Sequence, residues 1–269
     1  MEGVGKIGRP RVRGPGVVEC AGMLPGREVD WTPMKTIAIL APMQEELDAL
    51  VALLPPCTAQ HLRGLDILKV DYQGKQLVLA RSGVGKVNTA MNLSLLLAHL
   101  RIDEVVNIGS AGGLRAGQRI LDLVLPSEVL AVDVDVTPLG FEFGQMLGEP
   151  SVYHPDQEMR ARFAKVASSW PDMPLVHDGA VGSGDSFVYK PEQVRQIRER
   201  FGEDRVACVE MEGVALAQVC RRFDVPFLIV RSLSDVPAAG EGNHLDFQTF
   251  LEKAAHNAAR MVVEMLQAE

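Results

Sequence analysis

Glu104-Val105-Val106-Asn107-Ile108 runs without a break into Gly109-Ser110-Ala111-Gly112-Gly113. The first half is apolar with no in-and-out alternation, which predicts a strand buried on both faces. The second half is a glycine turn, where backbone can approach a ligand closely and offer its amides. The same arrangement recurs along the chain. Residues 36–41 (TIAILA) lead into Pro42-Met43, and residues 174–181 lead into Gly182-Ser183-Gly184-Asp185. Residues 205–209 and 226–233 are further apolar runs.

Helical periods separate these strands. Residues 43–54 are apolar at Met43, Leu47, Leu50, Val51 and Leu54, and Pro55-Pro56 closes the run. Residues 87–100, 157–167, 191–200, 212–223 and 247–266 are also predicted helices, and 191–200 starts at Pro191, a residue suited to a first turn. Strands alternating with helices predict an α/β fold: a three-layer α/β/α sandwich with a mixed, mainly parallel central sheet. The mixed part is a hairpin, with β-rich runs at 65–72 and 76–81 around Gln73-Gly74-Lys75. Residues 121–126 and 128–136 read as two more strands, and 137–150 as a long irregular segment.

The chain has 269 residues, 47% hydrophobic and 23% charged, an ordinary globular composition with no internal repeat. Its net charge of −8 argues against nucleic acid or an anionic membrane as the main partner and leaves a small molecule open. No run of about 18 apolar residues predicts a membrane span. The cysteines, Cys20, Cys57, Cys208 and Cys220, form no C-x-x-C pair and no zinc spacing with the six histidines. Reduced thiols and a cytoplasmic location are expected, with no metal and no cofactor. Residues 1–33 differ from the rest: eleven are Gly or Pro, and no apolar period appears. They are expected to be a disordered extension, or a start placed too early with Met34 as the functional one. Residues 34–269 are expected to form a single domain.

Two glycine motifs invite other readings and fail them. In Ser82-Gly83-Val84-Gly85-Lys86-Val87, a phosphate-binding loop would need glycine where Ala80 stands and Ser or Thr where Val87 stands. A dinucleotide fingerprint would need glycine at Asn88. Residues 109–113 lack the G-x-S-x-G spacing of a serine hydrolase. Acids, however, collect where the predicted strands end: Glu45 and Glu46, Asp185, Glu210 and Glu212, and Asp235. In open α/β sheets that edge binds ligands. Two separated carboxylates can hydrolyse a glycosidic bond, one activating water while the other protonates the leaving group. The developing positive charge on the sugar is favoured in an acidic pocket.

Seven ordered motifs then give the chain a family resemblance. They are Ala41-Pro42-Met43-Gln44-Glu45-Glu46; Ser82-Gly83-Val84-Gly85-Lys86; Asn107 to Gly113; Asp133-Val134-Asp135-Val136-Thr137 with Gly140-Phe141-Glu142-Phe143-Gly144-Gln145; Ser183-Gly184-Asp185-Ser186-Phe187; Val209-Glu210-Met211-Glu212; and Val230-Arg231-Ser232-Leu233-Ser234-Asp235. In this order they resemble the 5′-methylthioadenosine/S-adenosylhomocysteine nucleosidases, a branch of the purine nucleoside phosphorylase superfamily. The resemblance covers about residues 34–266 and implies a nucleoside phosphorylase-like fold.

It also implies irreversible hydrolysis of the N-glycosidic bond, releasing adenine and a thioribose product. By position, Glu46 resembles the general base that activates water. Asp235 resembles the acid that assists protonation of adenine N7, although an unperturbed Asp titrates near ~3.9. Glu212 resembles the acceptor of the ribose hydroxyls, with Met211 packed on the sugar and Met43 lining its pocket. Ser110 and Arg231 resemble residues near the water and the catalytic glutamate. Phe187 resembles the ring that stacks on adenine, and the backbone of Val188 its edge reader. Glu210 and Ser234, within the last two motifs, are grouped with the substrate-binding residues. Family members are homodimers in which a neighbour's loop closes the alkylthio pocket; by position it carries Val136, Leu139 and Leu147. Val132 and Leu139 depart from the family pattern, and this leaves the 5′ substituent open.

Three alternatives stay open at this stage. One is the same hydrolysis on aminodeoxyfutalosine, in menaquinone synthesis. Another is a purine nucleoside phosphorylase, although residues 41–45 lack the cation that a phosphate dianion needs. The third is a non-catalytic nucleoside-binding protein, against which the joint presence of Glu46, Glu212 and Asp235 argues.

Overall fold

β1 (Thr36–Ala41) shows why the strands lack alternation. Ile37, Ile39 and Ala41 point into one apolar cluster, while Ala38 and Leu40 point into another on the opposite face. The structure is a computed structural model that describes residues 34–170, 174–237 and 243–268. The expected extension at residues 1–33 lies outside the described residues, and residues 34–269 group as one compact unit.

β1 lies parallel to both its neighbours, β4 (Lys75–Arg81) and β5 (Glu104–Gly113). Beyond β4 the sheet runs antiparallel through β3 (Leu65–Tyr72) to β2 (Thr58–Leu62). The β3–β4 turn has Gln73 at φ +50° and Gly74 at φ +71°, the left-handed pair that a tight hairpin needs. On its other side β5 pairs in parallel with β9 (Phe227–Asp235), while Gly112 and Gly113 also pair antiparallel with β8 (Val206–Glu210). β8 continues in parallel to β7 (Val176–Ser183) and β7 to β6 (Leu123–Ala131), and β6 returns antiparallel to β9. β5, β8, β7, β6 and β9 therefore close a ring. One apolar cluster draws a residue from each of these strands (Ala111, Val124, Val181, Cys208 and Leu233) and fills it. The sheet is mixed and mainly parallel, with five parallel and four antiparallel pairings.

Helices cover both faces. α1 (Gln44–Val51), α3 (Gln157–Ser169) and α6 (Asn243–Gln267) share one cluster, to which they bring Leu47, Leu50, Phe163 and Val262. Ala254, Ala255, Ala258 and Ala259 on α6 are all buried, and their small size lets this helix lie close to β5 and β9. α2 (Lys86–His99) and α5 (Gly213–Phe223) cover the opposite face through Leu93, Leu96, Leu216 and Cys220. α4 (Pro191–Phe201) packs Val194 and Ile197 against Val206 and Val209 of β8. Each large aliphatic side chain so buried contributes about 1.5–3 kcal/mol.

Two expectations are corrected here. The runs at 121–126 and 128–136 are a single strand, β6; the register shifts between Pro126 and Glu128, a bulge that accommodates a residue with no amide to donate. Beyond Ala131 the chain leaves the sheet and passes through one 3-10 turn, Thr137–Leu139. β2 is an added strand whose mostly polar, exposed side chains carry no apolar signal.

Candidate active site

The strand ends meet around one cavity of about 170 Å³. Met43 and Glu46 reach it from the β1–α1 turn, Ser110 and Gly112 from β5, and Phe187 and Val188 from the segment after β7. Glu210, Met211 and Glu212 come from the end of β8, Ser234 and Asp235 from β9, and Phe247 from α6. Of the strand-end acids, Glu45 and Asp185 are not in this wall; Glu45 lines a neighbouring groove instead.

Glu46 stands in the first turn of α1, where the helix dipole favours an acid. It is 2% exposed. Its Oε2 accepts the Met43 amide at 3.0 Å, and its Oε1 accepts both the amide and the hydroxyl of Ser110 at 2.9 Å. Burial pushes its pKa above the ordinary range, while these donors and the charge of Arg231 pull it back. Gly109 makes the arrangement possible: a Cβ there would lie 3.0 Å from Arg231 Nη1 and 3.2 Å from Glu46 Oε1.

Arg231 is fully buried beneath the cavity and absent from its wall. Its Nη2 donates to Asn107 Oδ1 and Glu210 Oε2, both at 2.5 Å, and stands 3.7 Å from Glu212. Glu210 does line the cavity, but its carboxylate is engaged from within. Its oxygens accept the Ser183 hydroxyl, Arg231, and the amides of Glu212 and Gly213, so they serve the protein interior and the start of α5. Ser183 completes that anchor by accepting the Val214 amide at 2.8 Å.

Glu212 is held differently. Its Oε1 accepts the Gly85 amide at 2.8 Å, and Arg231 is its distant cation. Burial first, and then the negative charge of Glu210, push its pKa up to about 8. Asp235 is 1% exposed, and its Oδ1 accepts the Ser234 hydroxyl at 2.8 Å. Its Oδ2 lies where a Cβ on Gly112 would come within 3.3 Å, so this glycine leaves room for it. Glu46 and Asp235 thus rest against Ser110 and Gly112 of one strand. Both acids line the one cavity, the arrangement that glycosidic hydrolysis by two carboxylates requires.

The Phe187 ring is 40% exposed, in edge contact with Phe247 at 5.4 Å. Phe247 was missed as a wall residue, since its helical spacing matches core packing. Asn107 and Ser183 were likewise missed as supports of Arg231 and Glu210; buried polar residues within apolar strands were the available signal. Val136 and Leu139 do not line this chain's own cavity, and Leu139 is 64% exposed. Among the described residues, no group of three or more His, Cys, Asp or Glu side chains is placed to hold a metal.

This geometry can be set beside known proteins. The family model described as the phosphorylase superfamily matches residues 36–267. A curated 5′-methylthioadenosine/S-adenosylhomocysteine nucleosidase of Geobacillus kaustophilus is 42% identical over 229 residues, covering 85% of this chain and 95% of its own. The chain belongs to that nucleosidase family. Among solved structures, the family's enzyme from Neisseria meningitidis, in complex with methylthio-immucillin-A, superposes with TM-score 0.82 at 35% identity, over 88% of this chain and all of that one. A futalosine hydrolase mutant of Helicobacter pylori superposes with TM-score 0.81 at 27% identity, over 87% of this chain and 99% of that one. Family membership accounts for the phosphorylase-like sheet.

Proposed function

We propose that the chain hydrolyses the N-glycosidic bond of 5′-methylthioadenosine and S-adenosylhomocysteine, releasing adenine and the corresponding thioribose. The observation that carries this reading is Glu46, a buried carboxylate oriented by three donors on the wall that also holds Asp235. In its ionised form Glu46 takes a proton from the attacking water. The water oxygen bonds to the anomeric carbon as the carbon–nitrogen bond breaks. Asp235 supplies a proton to adenine N7, so that the base departs neutral as its bond from N9 to the sugar breaks. Glu212 accepts the ribose hydroxyls, and the surrounding carboxylates favour the cationic sugar of the transition state. Phe187 stacks on the base beside Val188, and Met43 and Met211 pack on the sugar. Arg231 and Glu210 hold the carboxylates from beneath.

The substrate is a small nucleoside. In this reading the enzyme is a homodimer, with Val136, Leu139 and Leu147 entering the neighbour's cavity; the exposure of Leu139 and Leu147 supports it. Cys57, Cys208 and Cys220 are free, which supports a reducing cytoplasm. No described helix is long and apolar enough to cross a membrane. A second reading, futalosine-type hydrolysis, is favoured by the superposition on the Helicobacter pylori protein. Product analysis decides among these. Incubation with methylthioadenosine, with and without phosphate, is expected to give adenine and free methylthioribose in both cases. Methylthioribose-1-phosphate formed only with phosphate would indicate a phosphorylase. Release of base from aminodeoxyfutalosine alone would move the substrate to the second reading.

A further inference from the structure

Lys86 ends the Ser82-Gly83-Val84-Gly85-Lys86 motif and takes no part in the chemistry above. Its ammonium donates to both oxygens of Asp133 at 2.8 Å and stands 3.7 Å from Asp185. Asp133 accepts the Asp185 amide at 2.9 Å, and Asp185 accepts the Lys86 amide at 2.8 Å. Side chains that follow β4, β6 and β7 thus lock one another outside the cavity wall.

What this cluster holds lies next to the site. The Gly85 amide, one residue before Lys86, is the donor to Glu212 Oε1. Gly85 has φ +91°, and a Cβ on it would lie 3.1 Å from Asp185 Oδ1, so the turn sits directly against that acid. Asp185 in turn stands two residues before Phe187. The lock therefore fixes both the amide that orients Glu212 and the start of the segment that carries the exposed ring.

We propose that Lys86, through Asp133 and Asp185, is a positioning residue for nucleoside hydrolysis, holding the Gly85 amide on Glu212 so that this carboxylate meets the ribose. The inference rests on the role given to Glu212 above. Lys86 and Asp133 keep 23% and 30% of their side-chain surface in water, so solvent partly screens their ion pair and its contribution to stability is modest. Its effect is on substrate binding and on the proton held by Glu212. The charged groups facing Glu212 are Glu210, Arg231 and Glu46, and the Gly85 amide is the donor that favours the ionised form. Loosening that amide raises the pH at which Glu212 ionises.

The test compares wild type, Lys86→Met and Lys86→Arg on methylthioadenosine across the pH range. Lys86→Met is expected to raise KM about tenfold and to move the acid limb of kcat/KM upward by about half a pH unit, with Tm nearly unchanged. Lys86→Arg restores most of both. Arg195→Met, which breaks exposed pairs with Glu192 and Glu199 on α4, is the control and moves neither. Unchanged KM and acid limb in Lys86→Met would overturn the inference. So would a loss of activity that follows a large drop in Tm, or an equal shift in the control. A wild type inert on the nucleoside would instead remove the functional reading itself.

Discussion

The wing of the sheet, β2 to β4, and the ring that β5 closes with β8, β7, β6 and β9 are built from the same strand geometry to opposite ends. The wing buries Ile67, Leu77 and Leu79 and, Lys75 apart, keeps its charges exposed or half-exposed. In the ring, β9 is buried at all nine positions, yet its second half reads Arg231, Ser232, Leu233, Ser234, Asp235. Packing explains the wing. The mouth of the ring gathers Glu46, Glu210 and Glu212 around one guanidinium, with Asp235 on the same cavity wall, an arrangement that gives up stability for fixed electrostatics.

Substitutions can break this contrast. At the mouth, Glu46→Gln is expected to lower kcat roughly a thousandfold without lowering Tm, because it removes a general base and a buried charge; steady-state rates and a thermal melt check both. Arg231→Met leaves Glu210 and Glu212 without their cation and is expected to cost about 3–5 kcal/mol in denaturant unfolding. In the wing, Leu79→Ala is expected to cost about 2–5 kcal/mol by opening a cavity, while kcat/KM of the folded fraction stays at the wild-type value. A comparable loss of kcat/KM from the wing would mean that the two regions are coupled. Phe187→Ala removes a stacking surface worth about 1–3 kcal/mol and is expected to act mainly on KM.

A pH-dependent effect sharpens the contrast further. Glu212 titrates near about 8 in the folded chain against 4.5 as its ordinary value, so the folded state holds a proton that the unfolded state has lost. Its contribution to stability is full below about 4.5 and is lost as pH rises towards about 8. The unfolding free energy of Glu212→Gln is therefore expected to gain on wild type across that window, by at most about 1.4 kcal/mol per pH unit, read by denaturant titration at several pH values. A gap that does not change with pH would mean that Glu212 is ionised throughout.

Much of this was legible in advance, for identifiable reasons. Buried parallel strands carry continuous apolar runs, so β1, β5 and β9 could be read directly, and Gln73-Gly74 marked its turn through the backbone it requires. The ring closure was not legible, because strand pairing between distant segments leaves no local pattern. β2 was missed because its side chains do not alternate in polarity, and β6 was divided because Pro126 looks like a break until a bulge absorbs it. At the site, the acids could be located by their position after strands. Their division of labour depends on hydrogen bonds that spacing does not encode. Glu210 and Glu212 stand two residues apart, yet one is saturated by internal donors and the other keeps an oxygen for a ligand.

The closed ring has a consequence for association. A flat sheet has two free margins at which another chain can add a strand. Here β9 turns back to pair with β5 and β6, so one margin is consumed internally. Among the described residues, the margin that remains is β2, where Thr58, Ala59, Gln60 and His61 are all exposed. A strand docking there would gain backbone hydrogen bonds but almost no apolar burial. The sheet is thereby protected against edge-to-edge aggregation by its own closure at one side and by polarity at the other.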